Sequence, residues 1–221
     1  MNKELIFRLS KYKRLLLKFK ALGLEKVFSN NLGDAIHVTP ALVRKDFSLM
    51  NIVGNKRGGY TIDDLLVRLD EELGKEPNKE VVLIGCGRIG SALMQYKGFT
   101  RDGIKIVAGF DADPRLINRD ADIPIYDIAE LQDFTSKRSI KVGIISVPDN
   151  AAAHVLELMI DAGIYGILNF APVELKCNRK YDKNNQVLRC NIQNVNIGME
   201  IENLFYMVNI AEAGRLPAEE T

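Results

Sequence analysis

The six residues Gly85-Cys86-Gly87-Arg88-Ile89-Gly90 constrain this chain more than any other segment. They fit G-x-G-x-x-G, a pattern too common to mean much alone. Here it follows the apolar run Val81-Val82-Leu83-Ile84 directly and opens a helical stretch containing Ala92, Leu93 and Met94. In that context Gly85 permits a tight turn, Gly87 lets a pyrophosphate approach the backbone, and Gly90 lets helix and strand pack closely. Asp111 stands 21 positions after Gly90, at the end of the next apolar run. A carboxylate there accepts hydrogen bonds from the adenine-ribose hydroxyls and repels a 2′-phosphate, which predicts a dinucleotide site that prefers NAD(H). Arg115, close by, weakens that preference. Cys86 has two readings, a redox-active thiol or a small residue filling a tight turn, and the second is the stronger.

Strands and helices alternate around this loop. Residues 81–85, 104–111, 141–147 and 165–170 read as strands. Helices fit from about residue 87, over 129–136 and over 151–162, where Gly163 ends the last. This alternation predicts an α/β fold, a doubly wound parallel sheet of Rossmann type. After Pro172 the pattern loosens into a strand at 187–192 and a final helix over 198–210 bearing Met199, Leu204, Phe205 and Val208.

The first part of the chain has a different character. Of 221 residues with a net charge of +1, residues 1–60 hold 12 Lys and Arg against 4 Asp and Glu, a local +8, which leaves −7 for the rest. A basic head on an acidic body suits an anionic polymer, although a solvated charged helix would give the same count. Leu5, Leu9, Tyr12, Leu16 and Phe19 predict a helix over 3–22, and a short helix over 30–36 has Ser29 or Asn30 as its cap. Thr39-Pro40 opens a third helix, with threonine as N-cap and proline at the first helical position. Val43, Phe47 and Met50 line one face of that helix, and Ala41, Arg44, Lys45 and Ser48 line another. An apolar back, a basic front and a short preceding turn describe a helix-turn-helix recognition element. The turn signals Gly54-Asn55 and Gly58-Gly59 then indicate a β-hairpin wing tipped by Lys56 and Arg57, followed by an amphipathic helix through Ile62, Leu65, Leu66, Leu69 and Leu73. Residues 74–79 read as a linker. The expected division is a winged-helix DNA-binding domain over 1–78, a Rossmann domain over 79–196, and a C-terminal dimerisation helix and tail over 197–221.

Other classes recede. No apolar run reaches the roughly 18 residues of a membrane span, and no signal-peptide pattern opens the chain. Cys86, Cys177 and Cys190 lack zinc-ligand spacing, His37 and His154 are the only histidines, and no metal site is expected. So sparse a set of cysteines fits a reducing, cytoplasmic compartment. Candidates for general acid–base chemistry are poor: His37 lies in the basic head, and His154 follows Val147-Pro148-Asp149 in the next helix. A cofactor fold without catalytic groups indicates a sensor. Two alternatives stay open: a small NAD-dependent oxidoreductase with a basic dimerisation arm, and a nucleotide-binding regulator of protein partners.

Several segments together resemble the Rex family of bacterial redox-sensing repressors, which respond to the NADH/NAD⁺ balance, and the resemblance covers nearly the whole chain. They are Val43-Arg44-Lys45-Asp46, Lys56-Arg57-Gly58-Gly59-Tyr60, the glycine loop through Leu93 with Tyr96 and Phe99, Phe110-Asp111-Ala112-Asp113-Pro114, Val147-Pro148, and the run from Ala162 to Val173 containing Leu168-Asn169-Phe170-Ala171-Pro172. The resemblance implies a homodimer whose C-terminal helix crosses to the partner. It implies binding to a palindromic double-stranded operator that NADH weakens by misaligning the two recognition helices. It also assigns roles. Arg44 and Lys45 would enter the major groove, Lys45 against phosphate, with Ser48 on the same face, while Lys56, Arg57 and Tyr60 would serve the wing. Gly85, Cys86, Gly87, Arg88, Ile89, Gly90, Asp111 and Ala112 would frame the dinucleotide, Val147 and Pro148 would line its crevice, and Tyr96 and Phe99 would lie near the nicotinamide, core packing being the alternative for these two. Three residues depart from the family. Leu42 stands where Gln is usual, Asn51 replaces a wing glycine, and Val195-Asn196-Ile197 replaces a Val-Asp-Leu step. The family aspartate pairs with an arginine matched here by Arg14. Asn196 is neutral and can offer Arg14 only a weaker hydrogen bond, so a blunter response to NADH is expected.

Overall fold

Apolar residues three to four positions apart give α1 (Lys3–Ala21) one closed face, on which Leu5, Leu9, Tyr12 and Leu16 are buried. In this computed structural model the described residues are 2–52, 58–74, 79–178, 187 and 190–214. The chain separates into two units, Met1–Pro77 and Asn78–Thr221.

In the first unit, Asn2 caps α1 by accepting the Leu5 N–H at 2.8 Å. Lys26–Val27 (β1) then precedes α2 (Ser29–Ile36) and α3 (Pro40–Leu49), and Tyr60–Thr61 (β2) leads into α4 (Ile62–Leu73). β1 and β2 pair antiparallel, Val27 opposite Tyr60. β1 was not foreseen, because two residues are too few to show a period. α2 starts one residue earlier than expected, since neither Ser29 nor Asn30 caps it. Instead the Asn31 side chain reaches back and accepts the Phe28 N–H at 3.1 Å. Thr39 caps α3, accepting the Leu42 N–H at 3.2 Å, and Pro40 occupies the first helical position. Between the two helices His37 takes a left-handed conformation, and a Cβ on Gly33 would lie 2.5 Å from the Val38 carbonyl oxygen. Only glycine allows so tight a turn. Leu32, Val43, Phe47, Ile62, Leu65 and Leu69 complete this core with the α1 residues. Lys56 and Arg57, the expected wing tip, lie outside the described residues, as do residues 75–78 of the linker.

The second unit runs β3 (Lys79–Ile84), α5 (Arg88–Met94), α6 (Lys97–Arg101), β4 (Ile104–Asp111), β5 (Ile125–Asp127), α7 (Leu131–Arg138), β6 (Val142–Ile145), α8 (Asp149–Asp161), β7 (Gly166–Asn169), β8 (Asn191–Asn194) and α9 (Ile197–Glu212). The six strands form one parallel sheet in the order β5-β4-β3-β6-β7-β8. This is the doubly wound arrangement, with the order reversing beside β3. Val82 and Ile84 pack on one face with Phe110, Ile145 and the α8 residues Val155, Leu156 and Met159. Val81 and Leu83 pack on the other with Cys86, Ile106 and Ile144. Burial on both faces explains why β3 reads as an unbroken apolar run.

The expected strand over 187–192 overlaps β8 at Asn191–Asn194, while residues 188 and 189 lie outside the described residues. Its sequence, Asn-Ile-Gln-Asn, is polar because β8 is an edge strand, so a search for apolar residues settles upstream. Side-chain amides hold it: buried Asn169 donates to Asn194 Oδ1 at 2.8 Å, and Asn194 in turn binds both backbone groups of Leu175. In α9 no residue is buried.

Candidate nucleotide and nucleic-acid sites

The glycine loop occupies the point where strand order reverses, between the carboxyl ends of β3 and β6. Gly85 has φ +92°, and a Cβ there would meet the Ser146 carbonyl oxygen and Val147 Cγ1, each at 2.7 Å. A Cβ on Gly90 would stand 2.0 Å from the Gly85 carbonyl oxygen, whereas one on Gly87 would face open space. Gly85 and Gly90 are therefore required by the protein's own packing. Gly87 leaves room for something that the chain does not supply. The loop is tied down on both sides: Gly85 N–H donates to the Phe110 carbonyl at 2.8 Å, and the Ser146 hydroxyl donates to the Gly85 carbonyl at 2.7 Å. Ser91 Oγ donates to the Cys86 carbonyl at 2.8 Å.

Asp111 ends β4 half-buried. One carboxylate oxygen accepts the Cys86 N–H at 2.6 Å and the other accepts the Asp113 N–H at 2.9 Å. These bonds fix the carboxylate against the loop, with lone pairs left for further donors. Arg115 does not turn towards it. Its guanidinium grips Asp113 at 2.7 to 3.1 Å, and that pairing pulls the Asp113 carboxyl down to about 2. The Cys86 side chain is only 1% exposed, and burial, helped by the nearby Asp111 carboxylate, pushes its thiol up to about 12. A low-reactivity, space-filling thiol matches the second of its two readings.

Arg88, Ile89, Ala92, Leu93, Tyr96, Phe170 and Ile197 line a cavity of about 390 Å³ on the α5 side of the loop. Tyr96 and Phe99 meet edge to face at 5.1 Å, but they are differently employed. Tyr96 is 56% exposed at this cavity, while Phe99 packs against the core around Leu83 and Cys86. Val147 is half-buried against Gly85, Pro148 precedes α8, and Ala112 is exposed just beyond β4.

In the first unit Arg44, Lys45 and Ser48 are all exposed on α3. Arg44 Nη1 donates to Ser29 Oγ at 3.1 Å, so its guanidinium is steered by the preceding helix. Tyr60 is mostly a packing residue, its ring 5.1 Å from Phe47. Asp46, given no separate role by sequence reasoning, holds the arrangement together. It is 1% exposed, takes a two-pronged bond from Arg8 at 2.7 and 2.9 Å, and accepts the Tyr12 hydroxyl at 3.1 Å. An aspartate beside Phe47 on an otherwise apolar helix back was the available signal. Burial and the Asp46 charge raise the Tyr12 hydroxyl well above its ordinary value, and the Arg8 guanidinium is raised by its bond to Asp46.

Arg14 lies on α1 in the first unit and Asn196 precedes α9 in the second. Asn196 has a local duty of its own: its Oδ1 accepts the Met199 N–H at 3.1 Å and caps α9. Among the described residues no cluster of three or more His, Cys, Asp or Glu side chains could hold a metal, and no helix is long and apolar enough to cross a membrane.

Residues 3–48 match a family described as a putative DNA-binding protein N-terminus, and residues 76–173 match the CoA binding domain family. The redox-sensing transcriptional repressor Rex of Streptococcus uberis is 35% identical over 205 residues, covering 91% of this chain and 92% of the relative. A crystal structure of RSP in complex with NAD⁺ and operator DNA aligns with TM-score 0.83 at 25% identity over 97% of this chain and 95% of that one. RSP in complex with NADH aligns with TM-score 0.77 at 25% identity over 97% of each chain.

Proposed function

This chain belongs to the Rex family of redox-sensing transcriptional repressors, and from that premise we propose that NAD(H) on its second unit governs how its first unit holds operator DNA. It is a DNA-binding regulator and not an enzyme. The observation that carries the reading is the likeness, over nearly the whole chain, to RSP, a Rex-family repressor, solved with both NAD⁺ and operator DNA. The chain's own residues fit the cofactor. Gly87 leaves the loop mouth open to a pyrophosphate, Asp111 is fixed where ribose hydroxyls can donate to it, and the cavity beside Tyr96 receives the nicotinamide end. The dinucleotide supplies the signal through the redox state of its nicotinamide.

Arg44 and Lys45 serve the major groove from α3, and Ser48 lies on the same exposed face. Lys56 and Arg57 serve the wing. The protein acts as a homodimer through α9, whose Ile197, Met199, Ile201, Leu204, Phe205 and Val208 are each at least half exposed. So large an apolar surface on one helix marks an interaction site, and a second copy crossing to cover it gives the two-fold symmetry that a palindromic operator requires. Sedimentation tests this part. The wild type runs as a dimer, and Phe205→Glu with Leu204→Glu gives monomers that have lost operator binding. A double variant that stays dimeric contradicts it. DNA binding itself is tested by salt. The logarithm of the operator affinity should fall linearly with log salt, losing about 0.9 per phosphate neutralised. An affinity insensitive to salt, or hydride transfer to a substrate at enzymatic rates, favours the oxidoreductase reading instead.

A further inference from the structure

Cys177 and Cys190 are 13 positions apart in sequence, yet both reach the same core and act on one another. Asn194 of β8 clamps Leu175 through bonds of 3.0 and 3.1 Å, and Asn191 N–H donates to the Tyr165 carbonyl at 2.7 Å. These contacts tie the segment after β7 to the last residue of β8, and the first residue of β8 to the residue before β7. Both cysteines pack against the same apolar core, both are half-buried, and their thiols are interacting neighbours. Neither residue lies in the glycine loop or on α3, so neither is used by the nucleotide or DNA sites. We propose that Cys177 and Cys190 form a dithiol that hydroperoxides convert reversibly into an intramolecular disulfide, a modification site separate from the nucleotide pocket.

The chemistry balances with a hydroperoxide as the oxidant. One thiolate attacks the O–O bond, so an S–O bond forms, the O–O bond breaks, and the departing oxygen takes up a proton. The neighbouring sulfur then displaces hydroxide from the sulfenic acid, forming the S–S bond and releasing water with the thiol's proton. Two thiols and one hydroperoxide give one disulfide, one alcohol or water, and one water. The sulfurs are oxidised and the peroxide is reduced. Burial and the neighbouring Cys177 hold the Cys190 thiol up at about 12. Either sulfur can attack as its thiolate, and the neighbouring one then resolves the sulfenic acid. Cys86 packs in the other core, with Val81, Leu83 and Ile106, apart from the one that Cys177 and Cys190 join.

The test treats the reduced full-length protein with hydrogen peroxide, caps remaining thiols with N-ethylmaleimide under denaturing conditions, and reads the products by mass spectrometry. The wild type should lose two of its three cappable thiols, give a cross-linked peptide joining Cys177 to Cys190 within one chain, and regain all three thiols with dithiothreitol. Cys190→Ser and Cys177→Ser should each give no internal disulfide and stop at a sulfenic acid on the remaining cysteine of the pair, which dimedone traps. Three cappable thiols after peroxide, separate sulfinic acids at the two positions, a bond that includes Cys86, or a bond only between chains each overturns the proposal.

Discussion

Asp46 lies on α3, the helix proposed to read DNA, and belongs to the core. Its carboxylate is almost wholly out of water, and Arg8 and Tyr12 satisfy it from α1. The pair therefore orients α3 on α1, and the exposed Arg44 and Lys45 depend on that orientation. Removing one partner of a buried ion pair leaves the other uncompensated, at about 3 kcal/mol or more. Arg8→Met should lower the stability of the N-terminal unit by about that amount, read as a shifted urea midpoint, and an unchanged midpoint contradicts this account. Cys86 makes the opposite case, a potentially reactive group held silent. Its folded value of about 12 lies above a thiol's ordinary 9.0. The stability this contributes is complete below about 9 and is lost as pH rises through 12. At pH 8 native Cys86 should accordingly resist iodoacetamide until the protein is unfolded. Labelling of native Cys86 as fast as of a free thiol would show the loop to be open.

The glycine loop joins β3 to α5 through backbone contacts that tolerate no side chain. Gly90→Ala would place a methyl group 2.0 Å from the Gly85 carbonyl oxygen, so strand and helix must separate. That variant should lose NADH binding at least tenfold, measured by the fluorescence of titrated NADH, and retained affinity would show that the loop does not hold the dinucleotide. On α3, Lys45→Ala should weaken binding to all DNA sequences about equally and reduce the salt slope by about 0.9. A slope that stays the same means Lys45 touches no phosphate. Much of this was legible in the sequence because its signals are local and strong. Thr39-Pro40 announces α3, and an apolar run, three glycines and a spaced aspartate announce the nucleotide-binding half. The elements that escaped have no such signature. β1 and β5 are two and three residues long, and β8 is polar because it is an edge strand held by asparagine amides. The burial of Asp46 escaped for a related reason: its partners are 38 and 34 positions away, and no local pattern encodes so distant a pairing.

At the scale of the molecule, the claim is that two units of opposite charge are coupled through the redox state of one ligand. Exposed α9 is the proposed route, because a helix that packs across a dimer touches whatever moves when the partner moves. Asn196 caps α9, and we propose that it stands where the family carries an aspartate that pairs with the arginine matched here by Arg14. An aspartate can keep the cap and add a charge-assisted bond, so Asn196→Asp should steepen the response of operator binding to NADH without loss of folding. An identical response in the variant would remove Asn196 from the coupling. The most direct test of the whole account is the anisotropy of a labelled operator titrated with the protein in three states: without cofactor, with NAD⁺ and with NADH. The account predicts tight, salt-sensitive binding with NAD⁺ and binding weakened by tenfold or more with NADH, short of complete loss. Equal affinity in all three states would contradict it.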